Sequence, residues 1–597
     1  VMDAEDLKVL NSEQQAAILN ADSVFLNACP GSGKTRALTY KLAYELSKLG
    51  NDKRFVIAIT YTHRAADEIA ERIEDMGIDT SRLWIGTIHS FCLEWIIRPY
   101  RVYEPDLKNG FSILDGHDQE TLLNDLSRSY RGISSWDCGY YFTGDDYYLS
   151  CQIPSKKDAV SNIVRQYINT IRQNRQLDYE HMLYYAYRVV SRNSLVAKIL
   201  SSMFSIILVD EYQDTKKIQY SIISSIIKAG QGGTKTFVVG DPNQSIFASM
   251  GGYPIPVNDF RTMIGVPLDE LSLSKNYRSN EKVINYFGNY SVHNSLIEAA
   301  GLNRTQAGLI TFNDSVSVGG LTDEIVRLVK YSIETLGISP HEICIIAPQW
   351  AHLAHMTRQL VSRLPQYSFD GPGMVPFSRD IDNFWYKIAR IALTTASPEM
   401  YARRLRWARE VLRDMDAYGI DTGALTPKLL LRLSNSIESE EQDGLEYLKV
   451  FFAQYFERLD IDYRLFETMH EQYDAFFKSS EGRIARLQNE GAGLSDIESF
   501  RKVFKSKTGI TISTIHGVKG AEFETVIAYA LLEGMVPHFA EANGRDAAMK
   551  LLYVIGSRAK TNLHLIAEQG RRHRGGDYAP TEVLLECEYS YDIFDSE

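Results

Sequence analysis

What this sequence has little of narrows its function first. Six cysteines are scattered over 597 residues with no CxxC pair. Neither a zinc site nor a disulfide framework is indicated, and a reducing, cytoplasmic setting is expected. No apolar run approaches the ~20 residues of a membrane-spanning helix, so a soluble chain without a membrane partner is expected. The opening Val1-Met2-Asp3-Ala4-Glu5-Asp6 lacks the basic stretch and apolar core of a signal peptide. Cationic residues are outnumbered, 64 Lys and Arg against 76 Asp and Glu, for a net charge of −12. A protein that coats duplex DNA is usually basic, because neutralising phosphates supplies much of its affinity. A local basic channel can still hold one strand, with stacking added to charge. The charge balance therefore weighs against a passive coat and says little against a motor. No internal repeat of about 20–50 residues occurs, and no low-complexity linker.

At roughly 100–200 residues per domain, this length makes three or four units the prior. Ser23–Ala28, Phe55–Thr60, Phe204–Val209 and Thr236–Gly240 are short apolar, β-branched runs that read as strands. Amphipathic helical runs follow the first two, from about Thr35 and through Ala65–Ile73. Glu342–Ala347, Gly509–Thr514, Thr525–Ala528 and Asn562–Ile566 repeat the strand pattern far downstream. Buried strands alternating with helices predict parallel α/β sheets, here two cores. Two long helical stretches, 90–200 and 394–507, each interrupt a core. An aromatic, Asp-rich segment near Tyr140–Tyr148 inside the first reads as a loop.

The chemistry begins directly after the first strand. Ala28-Cys29-Pro30-Gly31-Ser32-Gly33-Lys34-Thr35 is a phosphate-binding loop with Ala28 in place of the first glycine. Gly31 and Gly33 let backbone N–H groups close around phosphate oxygens, and the helix N-terminus adds its dipole. Lys34 would neutralise the β/γ-phosphates and Thr35 would hold Mg²⁺ through its hydroxyl. Farther on, the apolar strand Ile206–Val209 ends in Asp210 and Glu211. Alone, such a pair is usually a solvated turn. After a phosphate-binding loop, Asp210 is placed for the metal shell and Glu211 for polarising water, which γ-phosphate hydrolysis requires. The pattern is that of a Mg²⁺-dependent nucleotide hydrolase.

Asp210-Glu211-Tyr212-Gln213-Asp214-Thr215 resembles the Walker B segment of the UvrD/Rep/PcrA group of superfamily 1 helicases, and the likeness runs in order through most of the chain. Leu10-Asn11-Ser12-Glu13-Gln14-Gln15 is similar to the adenine-reading Q motif, with Gln14 at its glutamine; Gly33-Lys34-Thr35-Arg36 continues the phosphate loop. Thr60-Tyr61-Thr62-His63-Arg64 and Gly86-Thr87-Ile88-His89-Ser90-Phe91 resemble strand-gripping motifs, and Leu177-Asp178-Tyr179 the acidic-aromatic segment before Walker B. Val239–Phe247 resembles motif III, where Gln244 would sense the γ-phosphate. In Asn276-Tyr277-Arg278-Ser279 the resemblance makes Tyr277 an adenine-stacking ring and Arg278 a γ-phosphate contact. In Thr514–Phe523 it implies that Glu522 reads the ribose while Thr514 and His516 touch the nucleic-acid backbone. In Leu552–Ala559 it makes Arg558 the arginine finger. Tyr61 and Phe247 are candidates for base stacking, and His89 and His516 for phosphate contacts. A finger from a separate domain makes hydrolysis depend on closure, contributing roughly 10³–10⁵ in rate, and closure becomes stepping.

The resemblance implies two RecA-like cores with insertions: 1–89 and 201–268 as core 1A around helical 90–200, then 269–393 and 508–597 as core 2A around helical 394–507. It implies ATP and Mg²⁺ between the cores, single-stranded or partial duplex DNA as partner, and 3′ to 5′ movement. Stacking and backbone contacts separate DNA from RNA only weakly. The chain also departs from the family. After Phe247 an Arg-Trp-Arg run is replaced by Ala248-Ser249-Met250-Gly251-Gly252, which removes a stacking ring and two cations. His63 and Arg64 stand where Asn-Lys is common, Asp546–Lys550 replaces an arginine-rich lead-in, and the second insertion is short. Hydrolysis survives these changes better than strand separation. The alternative expectation is a DNA-gated ATPase with weak unwinding that works with a partner nuclease, as compact relatives do in anti-phage defence systems such as Gabija. No nuclease pattern is present in the acidic C-terminal tail, and Arg571-Arg572-His573-Arg574 reads as a solvated loop.

Overall fold

In a strand buried on both faces, successive residues enter different cores, and the first sheet separates its strands in this way. Its six strands are β1 (Ser23–Ala28), β2 (Phe55–Thr60), β3 (Leu83–Thr87), β4 (Phe204–Val209), β5 (Lys235–Gly240) and β6 (Leu268–Leu273). They lie parallel in the order β6-β1-β5-β4-β2-β3. Val24, Leu26, Val56, Ala58, Ile206, Leu208, Phe237 and Val239 pack on one face against Leu38, Leu42, Ile69 and Ile73. Phe25, Ile57, Ile59, Ile207, Val209 and Val238 enter the other face with Phe91, Ile222 and Ile226.

This computed structural model describes residues 7–593 apart from 115, 152, 372–375, 378–382, 490–494, 505–508, 540, 542, 574 and 575, and only the backbone of 63, 64, 117, 350, 351, 354, 399, 486, 487 and 489. The chain forms two compact units, one of 1–349 with 513–597 and one of 350–512. The first unit holds the sheet above and a second group of parallel strands: β7 (Ile310–Asn313), β8 (Ile343–Ala347), β9 (Phe523–Ala528) and β10 (Ala559–Ile566), in the order β7-β10-β9-β8. The other unit surrounds the fully buried Trp385 with Phe452, Phe456, Tyr455 and Met469 from helices Phe384–Ala392, Gly444–Arg458 and Glu467–Asn489. This unit begins at residue 350, and Trp385 and its helix belong to its core. Among the described residues no helix is long and apolar enough to cross a membrane.

The segment expected to be a loop at Tyr140–Tyr148 is a hairpin. Tyr140–Phe142 pairs antiparallel with Tyr147–Leu149. The turn signal of Asp145 and Asp146 was legible, but the strand signal came from alternation. Tyr140 and Phe142 are buried while Tyr141 faces the other way. Asp178 anchors the buried side. It caps helix Tyr179–Arg192 by accepting from His181 N at 2.8 Å, and its Oδ2 accepts from the Tyr140 hydroxyl at 2.6 Å and the Tyr167 hydroxyl at 2.8 Å. Burial opposes its charge, but the His181 ring and these donors outweigh burial and hold the carboxyl at about 2. Three edge strands, β3, β6 and β7, escape sequence reading. Edge positions leave polar residues at the surface, and Asp269 and Glu270 of β6 are exposed.

Because the folded value lies below the ordinary 3.8, the Asp178 contribution is full above that pH and fades as pH falls through about 2. At neutral pH, Asp178→Asn is expected to lower unfolding free energy by ~2–4 kcal/mol, read as a lower urea midpoint. An unchanged midpoint would refute the anchoring role.

Candidate functional site

β1 runs into the phosphate-type loop, and close packing explains its glycines. Gly33 starts helix Lys34–Leu49 at φ 77°, and Gly31 sits at φ 68°. A Cβ on Gly31 would meet Arg278 Cβ at 2.7 Å and Asn276 Oδ1 at 2.8 Å; one on Gly33 would meet Gln14 Nε2 at 2.8 Å. Only glycine satisfies both the backbone angle and the approach. Ser32 Oγ donates to Cys29 O at 2.7 Å, and Gln14 Nε2 donates to Ser32 O at 2.9 Å. Asn11 caps helix Ser12–Leu19 together with Gln14, and Asn11 Nδ2 donates to the Tyr277 hydroxyl at 2.8 Å. Tyr277 N in turn donates to Gly31 O at 2.9 Å. The Gln14 segment, the loop and Tyr277 thus form one hydrogen-bonded body.

A cavity of about 270 Å³ opens over this body, lined by Gly31, Gly33, Lys34, Thr35, Arg36, Glu211, Gln244, Tyr277, Arg278, Glu522 and Arg558, with Arg72 and Gly520. Lys34 Nζ is buried there without a hydrogen-bond acceptor, and its nearest carboxylate oxygen, on Glu211, is 3.5 Å away. A desolvated ammonium with no acceptor is costly, and an anionic oxygen in the glycine cradle would satisfy it. Arg278 Nε donates to Glu522 at 2.6 Å and its Nη1 to Ser557 O at 2.9 Å. Arg558 is 1% exposed, and burial together with Arg278 presses against its charge. It donates from Nη2 to Gln244 Oε1 and Ser557 Oγ, each at 2.9 Å, and from Nε to Val554 O at 3.2 Å.

The carboxylates sit at the carboxyl end of β4, where ligands of open parallel sheets bind. Burial and the charge of Glu211 push the Asp210 carboxyl up. Burial works the same way on Glu211, but Lys34, Lys519 and Gln213 overcome it and hold Glu211 ionised. A divalent cation beside Asp210 would reverse its shift. Hydroxyl and carboxylate oxygens such as those of Thr35 and Asp210 are donors of the kind Mg²⁺ takes, beside waters and phosphate oxygens. Among the described residues no cluster of three His, Cys, Asp or Glu side chains forms a protein cage. Glu211 lies at φ 51°, and Gln213 Nε2 donates to its Oε2 while Gln213 Oε1 accepts from Asp241 N at 2.9 Å. Gln244 Nε2 donates to Asp241 Oδ2 at 2.8 Å. Fully buried Gln213 therefore ties the ends of β4 and β5 together.

Arg36 lines the cavity, and the remaining expected residues lie outside its lining. Ala28 and Ser32 are buried, and Arg36 Nη2 reaches Val9 O at 3.1 Å. Tyr61 and Phe247 have ring centroids 5.3 Å apart, and Phe247 and His516 5.2 Å, making one line of rings. His516 Nε2 also lies 3.2 Å from Ile246 O. Thr62 caps helix His63–Asp75, and Thr514 Oγ1 accepts from Gly517 N at 3.1 Å. The His63 side chain lies outside the described residues, as does Arg574. The His89 ring meets Tyr179 edge-on, with ring centroids 5.1 Å apart. Sequence reading assigned no role to Gln213, Asn276, Asp241 or Lys519, although each sits inside a quoted motif. Lys519 Nζ, almost fully buried, pairs with Asp214 at 2.5 Å and Gln244 O at 2.6 Å. Its signal was only a lysine between two glycines. Gly33→Ala is expected to weaken Mg-ATP binding at least about tenfold, because αL strain alone costs of order 1–2 kcal/mol; isothermal titration calorimetry against the wild type tests it.

The chain matches two family models, the UvrD/REP helicase N-terminal domain over residues 10–261 and the UvrD-like helicase C-terminal domain over 415–570. It is 22% identical to an ATP-dependent DNA helicase PcrA of Staphylococcus epidermidis over 99% of this chain and 87% of the relative. A PcrA of Staphylococcus aureus is 23% identical over 94% of this chain and 83% of its own length. A probable DNA helicase II homolog of Mycoplasma capricolum is 22% identical over 94% and 85%. With both models matched in order and a glycine cradle, Glu211 and arginines gathered at one cavity, the chain belongs to the UvrD/Rep family of superfamily 1 helicases.

Proposed function

We propose that this ATP-dependent DNA helicase moves 3′ to 5′ along single-stranded DNA, hydrolysing ATP between two RecA-like cores. The observation that carries the reading is the hydrogen bond from Arg558, between helix Gly544–Gly556 and β10, to Gln244, after β5. Hydrolytic competence then depends on the relative position of two sheets, which is how a chemical cycle drives stepping. The direction follows the family resemblance. The cores are 1–89 with 201–268 and 269–393 with 508–597, and 90–200 and 394–507 are their insertions.

In this reading Lys34, Arg278 and Arg558 neutralise phosphate charge, and Gln244 orients the attacked phosphoryl group. Glu211 accepts the proton of the attacking water, positioned by Gln213. Thr35 and Asp210 hold Mg²⁺, which when bound offsets charge developing on the phosphate oxygens. Tyr277 stacks on adenine, Gln14 reads its edge, Glu522 meets the ribose, and the Gly31–Gly33 backbone with Ala28 and Arg36 completes the nucleotide site. Tyr61, Phe247 and His516 face the strand as a line of rings, with Thr62, His63, His89 and Thr514 as backbone contacts. A second reading, a DNA-gated ATPase with weak unwinding, is favoured by one observation. The loop after Phe247 offers only Ala248, Ser249, Met250 and two glycines where a ring and cations would grip.

ATPase turnover is expected to rise strongly with single-stranded DNA and to fall about 10³-fold or more in Arg558→Ala. Glu211→Gln is expected to abolish turnover while retaining ATP binding. Turnover indifferent to DNA in the purified chain would overturn the stand-alone motor. A fluorescent partial-duplex substrate separates the two readings: strand release that keeps pace with ATP use supports the helicase, and turnover without release supports the weak unwinder.

A further inference from the structure

The hairpin Tyr140–Leu149 and the short loop after Phe247 belong to different parts of the sequence, yet they are fitted to each other. Alternation along the hairpin turns Tyr140, Phe142 and Tyr147 toward the buried core, and Tyr141 and Tyr148 to the opposite face as a cross-strand pair. These two rings lie 6.1 Å apart at 22°, a stacked arrangement, and Tyr148 is 54% exposed. Tyr141 lies directly on Gly251. A Cβ there would come within 2.8 Å of the tyrosine ring, and Gly251 sits at φ 92°. Gly252, the next residue, donates its N–H to Phe247 O at 3.0 Å and bridges to Lys216, whose amine lies 5.9 Å from the centre of the Tyr141 ring. Contacts therefore run without a break from Tyr148 and Tyr141 through the two glycines to Phe247 and on to Tyr61.

We propose that Tyr141 and Tyr148 are base-stacking residues that extend the ring line of Tyr61 and Phe247, taking up unpaired bases of the single-stranded DNA track. The inference rests on the reading that this chain grips single-stranded DNA. The physical grounds are specific. Stacking on a base needs an exposed aromatic face backed by rigid structure, and the Asp178 network holds the hairpin from behind. The loop after Phe247 has no ring of its own, and its glycines leave room for one delivered from the hairpin. Lys216, paired with Glu180, lies on one side of the Tyr141 ring and steadies it from the protein.

The test compares binding of an oligo-dT of about 20 nucleotides with an abasic strand of equal length, which carries phosphates and no bases, by fluorescence anisotropy. The wild type is expected to prefer oligo-dT. The double variant Tyr141→Ala with Tyr148→Ala is expected to shrink that preference roughly tenfold, while Tyr141→Phe with Tyr148→Phe preserves it. A preference kept within about twofold in the alanine variant overturns the proposal and leaves the DNA-binding reading standing. So does a parallel loss on both strands, which would mark the pair as purely structural. A wild type that binds neither strand overturns the DNA-binding reading, and this inference with it.

Discussion

A guanidinium buried to 1% exposure has to be surrounded by acceptors, and that requirement at Arg558 organises the first unit. Val554 O, Ser557 Oγ and Ala521 O come from its own sheet group, and Gln244 Oε1 comes from the end of β5 in the other. Gln244 can present that oxygen because Asp241 takes its amide, and Asp241 is placed by Gln213, which also holds Glu211. A shift of Arg558 would be felt along this chain at the carboxylates of β4. Lys519, paired with Asp214 beside it, binds the same two layers a second time. Removing one partner of such a buried pair typically costs ~3–5 kcal/mol, so the seam is both rigid and demanding.

The cavity faces the opposite way in energetic terms. Five cations, Lys34, Arg36, Arg72, Arg278 and Arg558, line it, and Lys34 Nζ has no hydrogen-bond acceptor. Burial there is costly unless an anion completes the arrangement, which supports the proposed phosphate site. Arg278 is occupied by Glu522 and Ser557 O in this structure. On the proposed reading an incoming phosphate would compete with a carboxylate for that guanidinium, which would link nucleotide occupancy to the contacts between β6's end and β9's start.

Legibility followed burial. Strands buried on both faces, such as Phe204–Val209, could be read from composition, and so could the glycine loop and the carboxylates that follow them. Edge strands could not: Leu268–Leu273 carries Asp269 and Glu270 outward, and its register with β1 decides where Tyr277 and Arg278 emerge. The aromatic hairpin misled for a different reason. Its two strands are three residues each, too short for a periodicity to stand out from a loop.

Sequence alone determined which chemistry this chain can carry, because a phosphate loop, a strand-end carboxylate pair and motifs in family order are local patterns with local physical causes. Tertiary structure decided which of those residues work on one another. Gln213 and Lys519 gained their roles from partners 28 and 305 residues away, and Tyr141 from a glycine backbone across the fold. Such pairings arise from the register of strands and the desolvation of charges, which exist only once the sheets have packed.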